Sequence, residues 1–301
     1  MLESPGPSQP SRTLPARMHL SVLVVTYQSR DHILACLRSI DADRGSRVTE
    51  VLVLDNASAD GTPDLVRREH ASARVIETGG NLGYAKAVNR GIAESSGDVV
   101  LVLNPDCIVQ PGMTDSLLRW ISMHPRCAVS APRILNSDGS VEWSARSYPG
   151  ALTFLFNRYS LLTRLFPGNP WSRRYLLSDW DHSSHRSVDW VSGAAMAVRR
   201  EAIEQVGGMD EAFFMFNEDV DWCRRFTLAG WSIDYLPDAQ VVHAIGASKG
   251  YVSEKVILER HRGMIHYFRK HHPSNAVVEW AVAKLIMVRA RLMLAANARK
   301  R

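Results

Sequence analysis

The run Gly207-Gly208-Met209-Asp210-Glu211-Ala212-Phe213-Phe214-Met215-Phe216-Asn217-Glu218-Asp219-Val220-Asp221 crowds acidic side chains against aromatic ones just before a helix-like stretch. A carboxylate beside an apolar wall suits activation of a hydroxyl, with Asp219 as candidate general base and Glu218 as its orienting neighbour. Acids in a first helical turn are stabilised as anions by exposed amides and the helix field, which lowers their basicity; plain helix stabilisation explains them without catalysis. Two further acidic turns lie upstream, Asp55-Asn56-Ala57-Ser58-Ala59-Asp60-Gly61-Thr62 and Asn104-Pro105-Asp106, each after a run rich in Val and Leu. The set reads as metal-assisted group transfer.

Asp55 at a strand end can accept a hydrogen bond from a nucleobase imide, with Asn56 and Ser58 fixing the turn, although these are also ordinary turn residues that bond their own backbone. In Gly79-Gly80-Asn81-Leu82-Gly83-Tyr84-Ala85-Lys86-Ala87-Val88-Asn89, Lys86 and Asn89 share a helix face. They can address phosphate oxygens or a nucleoside, assisted by amides at the helix start; a glycine turn before a solvated face is the alternative. Asp106 suits Mg²⁺ or Mn²⁺, which takes hard oxygen ligands and neutralises a diphosphate, while an Asx-type turn before proline competes. Asn104 fits an orienting group. His243, directly after a short extended segment, either completes the metal shell or is structural.

These residues need elements to hold them. Leu20 to Thr26 and Val48 to Leu54 read as strands, Arg74 to Ile76 as an edge strand and Asp98 to Leu103 as a buried strand stopped by Asn104-Pro105. Helices are expected over 30–40, 63–69 and 83–94, which makes a largely parallel sheet with helices on both faces. The turn Thr26-Tyr27-Gln28-Ser29-Arg30 lacks the glycine-rich pyrophosphate loop of a nicotinamide enzyme. Residues beyond the carboxyl ends of parallel strands, Thr26, Asp55, Asn56 and Asp106, converge on one crevice.

From Ala145 to Arg186 the chain is irregular and aromatic, a lid or acceptor loop or else a surface excursion. Trp190 to Val198 is ordered, followed by helices over 200–206 and 218–228. Extended segments at 233–236 and 241–242 come next, then helical patterns over 254–270 and 277–296. Lys284, Arg289 and Arg291 interrupt the last, so it does not span a membrane. It lies on an anionic membrane surface, or packs on the catalytic domain or on a second copy as a homodimer.

A chain of 301 residues with a net charge of +5 is long enough for one large α/β domain plus an addition, and too weakly basic to imply nucleic acid. Cys36, Cys107, Cys127 and Cys223 are far apart and form no CxxC pair, so reduced thiols are expected. Residues 1–18 read as a disordered leader without the apolar segment of a signal peptide, which places the protein in the cytoplasm.

As a set, these landmarks resemble family 2 glycosyltransferases of the GT-A fold, in particular bacterial rhamnosyltransferase-like members, from residue 20 to 245. The matching residues are Thr26-Tyr27, Asp55-Asn56-Ala57-Ser58, Asp60-Gly61-Thr62, Asn81-Leu82-Gly83-Tyr84 with Asn89, Asn104-Pro105-Asp106, Asn169-Pro170-Trp171, Trp190-Val191-Ser192-Gly193-Ala194, and Gly207-Gly208-Met209-Asp210-Glu211 leading to Glu218-Asp219. The resemblance implies an α/β, GT-A-like three-layer fold over 19–250, with a C-terminal helical extension over 251–301. It implies an inverting, metal-dependent transferase moving L-rhamnose from dTDP-L-rhamnose to a saccharide or a polyprenyl-diphosphate-linked N-acetylglucosamine at the inner face of the plasma membrane. Thr26, Tyr27, Asp55, Asn56, Asn81, Gly83, Lys86, Asn89, Asn104 and Asp106 then bind the nucleotide sugar. Trp190, Ser192, Gly193, Asp210 and Glu211 serve the acceptor, Asp219 and Glu218 catalysis, and Asp106 and His243 the Mg²⁺ or Mn²⁺. Asn104 stands where the family's metal element carries its first acid. Another nucleotide sugar, a sugar-phosphate transferase and a noncatalytic carbohydrate-binding protein are the other readings.

Overall fold

In the computed structural model, which describes residues 18–43, 48–150, 153, 169–243 and 253–298, the chain begins with alternating strands and helices. These are β1 (Leu20–Thr26), α1 (Ile33–Ala42), β2 (Val48–Asp55), α2 (Thr62–Glu69), β3 (Arg74–Glu77), α3 (Tyr84–Ala93) and β4 (Val99–Leu103). Strand β1 pairs in parallel with both β2 and β4, and β3 forms the edge, as its sequence suggests. Because side chains alternate along each strand, Leu23 and Val25 enter one core with Val88 of α3, while Val22 and Val24 enter the other with Ile33 and Leu37 of α1. Helices therefore cover both faces, the expected three-layer arrangement.

The second half makes the sheet mixed. After β5 (Cys107–Val109), α4 (Met113–Met123) and β6 (Cys127–Leu135) come the short strands β7 (Val141–Glu142) and β8 (Ala145–Arg146), then α5 (Pro170–Leu176), β9 (Arg186–Ser187), β10 (Trp190–Val191) and β11 (Ala195–Arg199). The chain continues with α6 (Arg200–Val206), α7 (Glu218–Leu228), β12 (Ser232–His243), α8 (Glu254–His271) and α9 (Ala276–Ala298). The sheet runs β3-β2-β1-β4-β11-β6-β12-β5, with β11 antiparallel to both neighbours and β6 parallel to β12. The two extended segments expected around residues 233–242 are one strand, broken by a register shift between Leu236 and Gln240.

Helix α8 is tied to α7 by charge. The buried Asp221 accepts from Arg225 at 2.9 Å, Lys270 at 2.9 Å and His271 at 2.6 Å. All four cysteines are buried and free. Among the described residues, no helix is long and apolar enough to cross a membrane. The leader, except Met18, and residues 154–168 of the aromatic insertion lie outside the described residues.

Candidate active site

Parallel strands β1, β2 and β4 deliver Thr26, Asp55 and Asn104-Pro105-Asp106 to one edge of the sheet, as expected for strands feeding a common crevice. Asp55 is buried and committed: one carboxylate oxygen accepts from the Thr26 hydroxyl and the other from the Ser58 amide, each at 3.0 Å. Asn56 is a clamp, donating to the Gly83 carbonyl at 3.0 Å and accepting from the Leu82 amide at 3.2 Å and the Thr78 hydroxyl at 3.1 Å. It shapes the Gly79–Gly83 loop, within which Asn81 accepts from the Gly83 amide at 3.2 Å. Tyr27 lies open at the mouth of the crevice, 52% exposed, and Lys86 is exposed on α3.

Asn89 departs from the sequence expectation. Its amide donates to the Met209 carbonyl at 2.8 Å and to Glu211 at 3.1 Å, and its carbonyl accepts from the Met209 amide at 2.8 Å. Every polar atom is spent on the Gly207–Glu211 turn, so the three-residue spacing from Lys86 marks a structural lock rather than a phosphate-facing pair. Asp210, expected on the acceptor side, is likewise taken up by α8, accepting from Lys270 at 2.6 Å and His266 at 3.0 Å. Despite partial burial, these bonds hold its carboxyl well below the usual carboxylate range.

Glu218 and Asp219 sit where the sequence puts them, in the first turn of α7, after two non-glycine residues with left-handed backbone, Phe216 (φ 66°) and Asn217 (φ 71°). Consecutive residues of this kind store roughly 1–3 kcal/mol each and persist where packing over-determines them. Here Gly263 of α8 supplies the packing, because a Cβ there would meet the Asn217 amide nitrogen and the Phe216 carbonyl oxygen at 2.9 Å. The expected lowering of both carboxyls by the helix field does not occur. Burial raises both, and Glu218 is pushed higher because the Asp219 charge adds to it. The buried Glu218 Oε2 has no hydrogen-bond partner among the described residues. Asp219 is anchored instead, accepting from the Gly193 amide at 3.0 Å and the Val220 amide at 2.9 Å, with the Arg146 charge favouring its anion. The proton of the pair therefore resides on Glu218 and the negative charge on Asp219.

Trp190, Ser192 and Asp219 line a cavity of about 270 Å³, and Arg146 lies 5.2 Å from the centre of the Trp190 ring. The Trp190 indole donates to the Ser147 carbonyl at 2.8 Å. Tyr84 joins the two sides of the site, since its hydroxyl donates to the Gly193 carbonyl at 2.7 Å and lies 3.3 Å from the Asn104 side-chain oxygen. Burial above all, with the neighbouring acidic pair, keeps that phenol protonated.

Asp106 and His243 meet as expected, with Nε2 3.2 Å from the carboxylate, and Glu142 takes the other ring nitrogen at 3.0 Å. Burial opposes the imidazolium, but the bonds to Asp106 and Glu142 raise the His243 pKa to about 9. Cys107 falls in the same cluster, yet burial pushes its thiol up and it points at the Ala194 carbonyl, 3.5 Å away. Asp106 offers Mn²⁺ or Mg²⁺ a hard oxygen, and His243 a ring nitrogen once it gives up the proton that Asp106 and Glu142 hold on it; the protonated Cys107 thiol offers no ligand. Glu142 has no signal in the sequence, because it lies on a two-residue strand positioned only by pairing with Ile134 of β6. Arg146, in the irregular insertion, is equally silent.

Residues 21–207 match Glycosyl transferase family 2. The chain is 35% identical over 294 residues to N-acetylglucosaminyl-diphospho-decaprenol L-rhamnosyltransferase of Mycobacterium tuberculosis, covering 93% of this chain and 94% of that one. It is 25% identical over 233 residues to rhamnosyltransferase WbbL of Escherichia coli, covering 74% and 82%. Among solved structures it resembles the mannosyltransferase PcManGT of Pyrobaculum calidifontis, in complex with GDP-Man and Mn²⁺, at a TM-score of 0.59 and 21% identity over 97% of this chain and 79% of the other. That likeness shows the GT-A fold.

Proposed function

The chain belongs to glycosyltransferase family 2, and from that premise we propose that it is an inverting rhamnosyltransferase using dTDP-L-rhamnose and a polyprenyl-diphosphate-linked N-acetylglucosamine acceptor. The observation that carries this is the Asp219 carboxylate, held by the Gly193 amide in the wall of a cavity beside the strand-end crevice. Match along nearly the full length to a transferase for such an acceptor supports the substrate pair.

The acceptor hydroxyl docks against Asp219 from the cavity and loses its proton to that carboxylate as its oxygen attacks the anomeric carbon. Attack from the face opposite the leaving group inverts the configuration. The bond to the nucleoside diphosphate breaks on the crevice side. Protonated Glu218 adds no second charge to the pocket, so Asp219 remains the one basic oxygen there. Burial lifts the basicity of Asp219, the direction a general base needs. Asp106 and His243 would hold Mg²⁺ or Mn²⁺, which when bound supplies charge neutralisation for the departing diphosphate.

Helix α9 suits a peripheral position at the inner face of the plasma membrane. Ile286 and Ala290 turn into the fold, while Val277, Leu285, Val288 and Leu292 are exposed on its other side, flanked by Lys284 and Arg291. Apolar residues thus occupy two opposite faces of α9. An exposed apolar stripe beside cations fits an anionic bilayer.

The test is a screen of nucleotide sugars against lipid-linked and free saccharide acceptors, with product mass and linkage analysis, with and without a chelator. The expected result is a rhamnosylated diphosphate-linked acceptor of inverted configuration, released nucleoside diphosphate, and activity lost on chelation and restored by Mg²⁺ or Mn²⁺. Transfer of a sugar phosphate, or donor binding without turnover on any acceptor, would overturn the proposal.

A further inference from the structure

The cavity beside Asp219 has an electrostatic character that base catalysis alone does not require. Of the described residues lining it, Asp219 is the sole carboxylate, whereas Arg146, Arg260 and Arg289 all face in. They come from three separate elements: Arg146 from β8, Arg260 from α8 and Arg289 from α9. None of the strand-end residues Tyr27, Asp55, Asn104 or Asp106 lines it, so it is distinct from the crevice assigned to the nucleotide sugar.

Two of these arginines come from α8 and α9, which pack against each other. Arg260 lies over the Phe216 ring at 4.3 Å, and its backbone carbonyl accepts from the Asn217 amide at 3.4 Å. Arg289, half-buried, reaches the Met264 sulfur at 4.0 Å. Burial and the Arg260 charge both press Arg289 below its ordinary pKa. Several guanidinium groups in one half-buried cavity wall attract an anion, and they match phosphate oxygens in bidentate geometry. Met264, Phe268 and Ile286 give the cavity an apolar wall beside polar residues such as Ser192 and His272. The ligand chemistry that fits is an anionic head joined to an apolar tail, in the cavity that the base also lines.

We infer that Arg260 and Arg289 grip the diphosphate of the lipid-linked acceptor, with Arg146 in the same cavity wall, so that α8 and α9 form the acceptor-diphosphate subsite. This rests on the diphosphate-linked acceptor proposed above. Two diphosphates then flank Asp219: that of the donor on the strand-end side and that of the acceptor on the helical side. The subsite also gives α9 a double role, since its inner face contacts the head group while its exposed face meets the bilayer from which the tail emerges.

The experiment compares a short-chain prenyl-diphosphate-linked N-acetylglucosamine with an alkyl N-acetylglucosaminide that lacks the diphosphate. Arg260→Gln and Arg289→Gln should each lower kcat/KM for the diphosphate acceptor by at least about 30-fold while changing it for the alkyl glycoside by less than about threefold. Arg260→Lys, which keeps the charge without the fork, should fall between. On wild-type protein, a sugar-free isoprenyl diphosphate should compete with the acceptor and not with the nucleotide sugar, a pattern that needs no folded variant. Parallel losses on both acceptors, or competition against the nucleotide sugar alone, would overturn the subsite. If wild-type protein turns over neither acceptor, the proposed reaction fails by itself. Calorimetric binding of the isoprenyl diphosphate, lost in Arg260→Gln, would still support the subsite, and equal binding by both proteins would refute it.

Discussion

Replacing Gly83 by alanine tests whether the donor loop and the acidic helix are built as one unit. Gly83 has φ 87°, and an added Cβ would stand 2.4 Å from the Phe214 carbonyl oxygen and 2.8 Å from its ring. The same oxygen accepts from the Tyr84 amide at 2.6 Å, so the loop cannot move away without breaking that bond. A left-handed backbone costs a non-glycine residue about 1–2 kcal/mol, the lost hydrogen bond about 1 kcal/mol and the residual crowding about 1 kcal/mol more. The sum, at least about 3 kcal/mol, corresponds to a fall in Tm of about 6–12 °C for a chain of this size. Turnover should fall as well, because relief of the clash pushes Phe214 and the turn leading to Asp219. Gly80→Ala is the control: among the described residues nothing lies within 4 Å of its added methyl, and a change below about 1 kcal/mol is expected. Thermal melts and steady-state transfer rates on both variants decide it. Equal Tm values for Gly83→Ala and Gly80→Ala would refute the coupling.

Asn89→Ala should destabilise by about 2–3 kcal/mol, since it orphans the Met209 backbone groups, while leaving the donor KM within about twofold; a raised donor KM at unchanged Tm would restore Asn89 to the donor site. Glu218→Gln, which mimics the protonated acid, should retain turnover within about tenfold, with kcat/KM still rising with pH to an inflection above the ordinary carboxylate range of about 4 set by Asp219. Because the folded-state pKa of Glu218 is raised, wild-type stability is fully present below the unfolded pKa and declines as pH climbs through the folded value, and Glu218→Gln should remove that decline in pH-dependent melts. Leu285→Glu combined with Leu292→Glu on the exposed face of α9 should cut flotation with anionic vesicles by at least about tenfold at unchanged Tm; undiminished flotation would rule out this face as the membrane contact.

The first half of the fold was legible because local pattern and tertiary role agree there. The Val- and Leu-rich strands are buried on both faces, and Asn104-Pro105 ends β4 where its sequence says. Strand β6 is harder to read: it carries Pro132, a residue that argues against a central strand. The structure tolerates it because β11 pairs only as far as Ser130, and Pro132 lies opposite Leu236, where the β12 register breaks. In the site, Asp219 and the meeting of Asp106 with His243 followed from the residues and the family resemblance. The sequence offers Asn89 as a ligand because an amide near a glycine-rich turn looks the same whether it faces a substrate or a distant backbone. Only the fold reveals that Met209, 120 residues away, takes up the Asn89 amide. Glu142, Arg260 and Arg289 gain meaning solely from the elements that bring them to the site. The pKa direction of the acidic pair reversed for a similar reason, since desolvation under α8 outweighs the helix field.

The central claim, that Asp219 removes the acceptor proton during sugar transfer, is tested most directly by Asp219→Asn. The variant keeps the size of the side chain and an oxygen for the Gly193 amide, but loses the basic carboxylate. Transfer of the sugar to the diphosphate-linked acceptor should be measured at saturating donor alongside donor affinity by calorimetry. A fall in kcat of about 100-fold or more with donor affinity unchanged is the predicted result. Near-normal transfer by folded Asp219→Asn would contradict it.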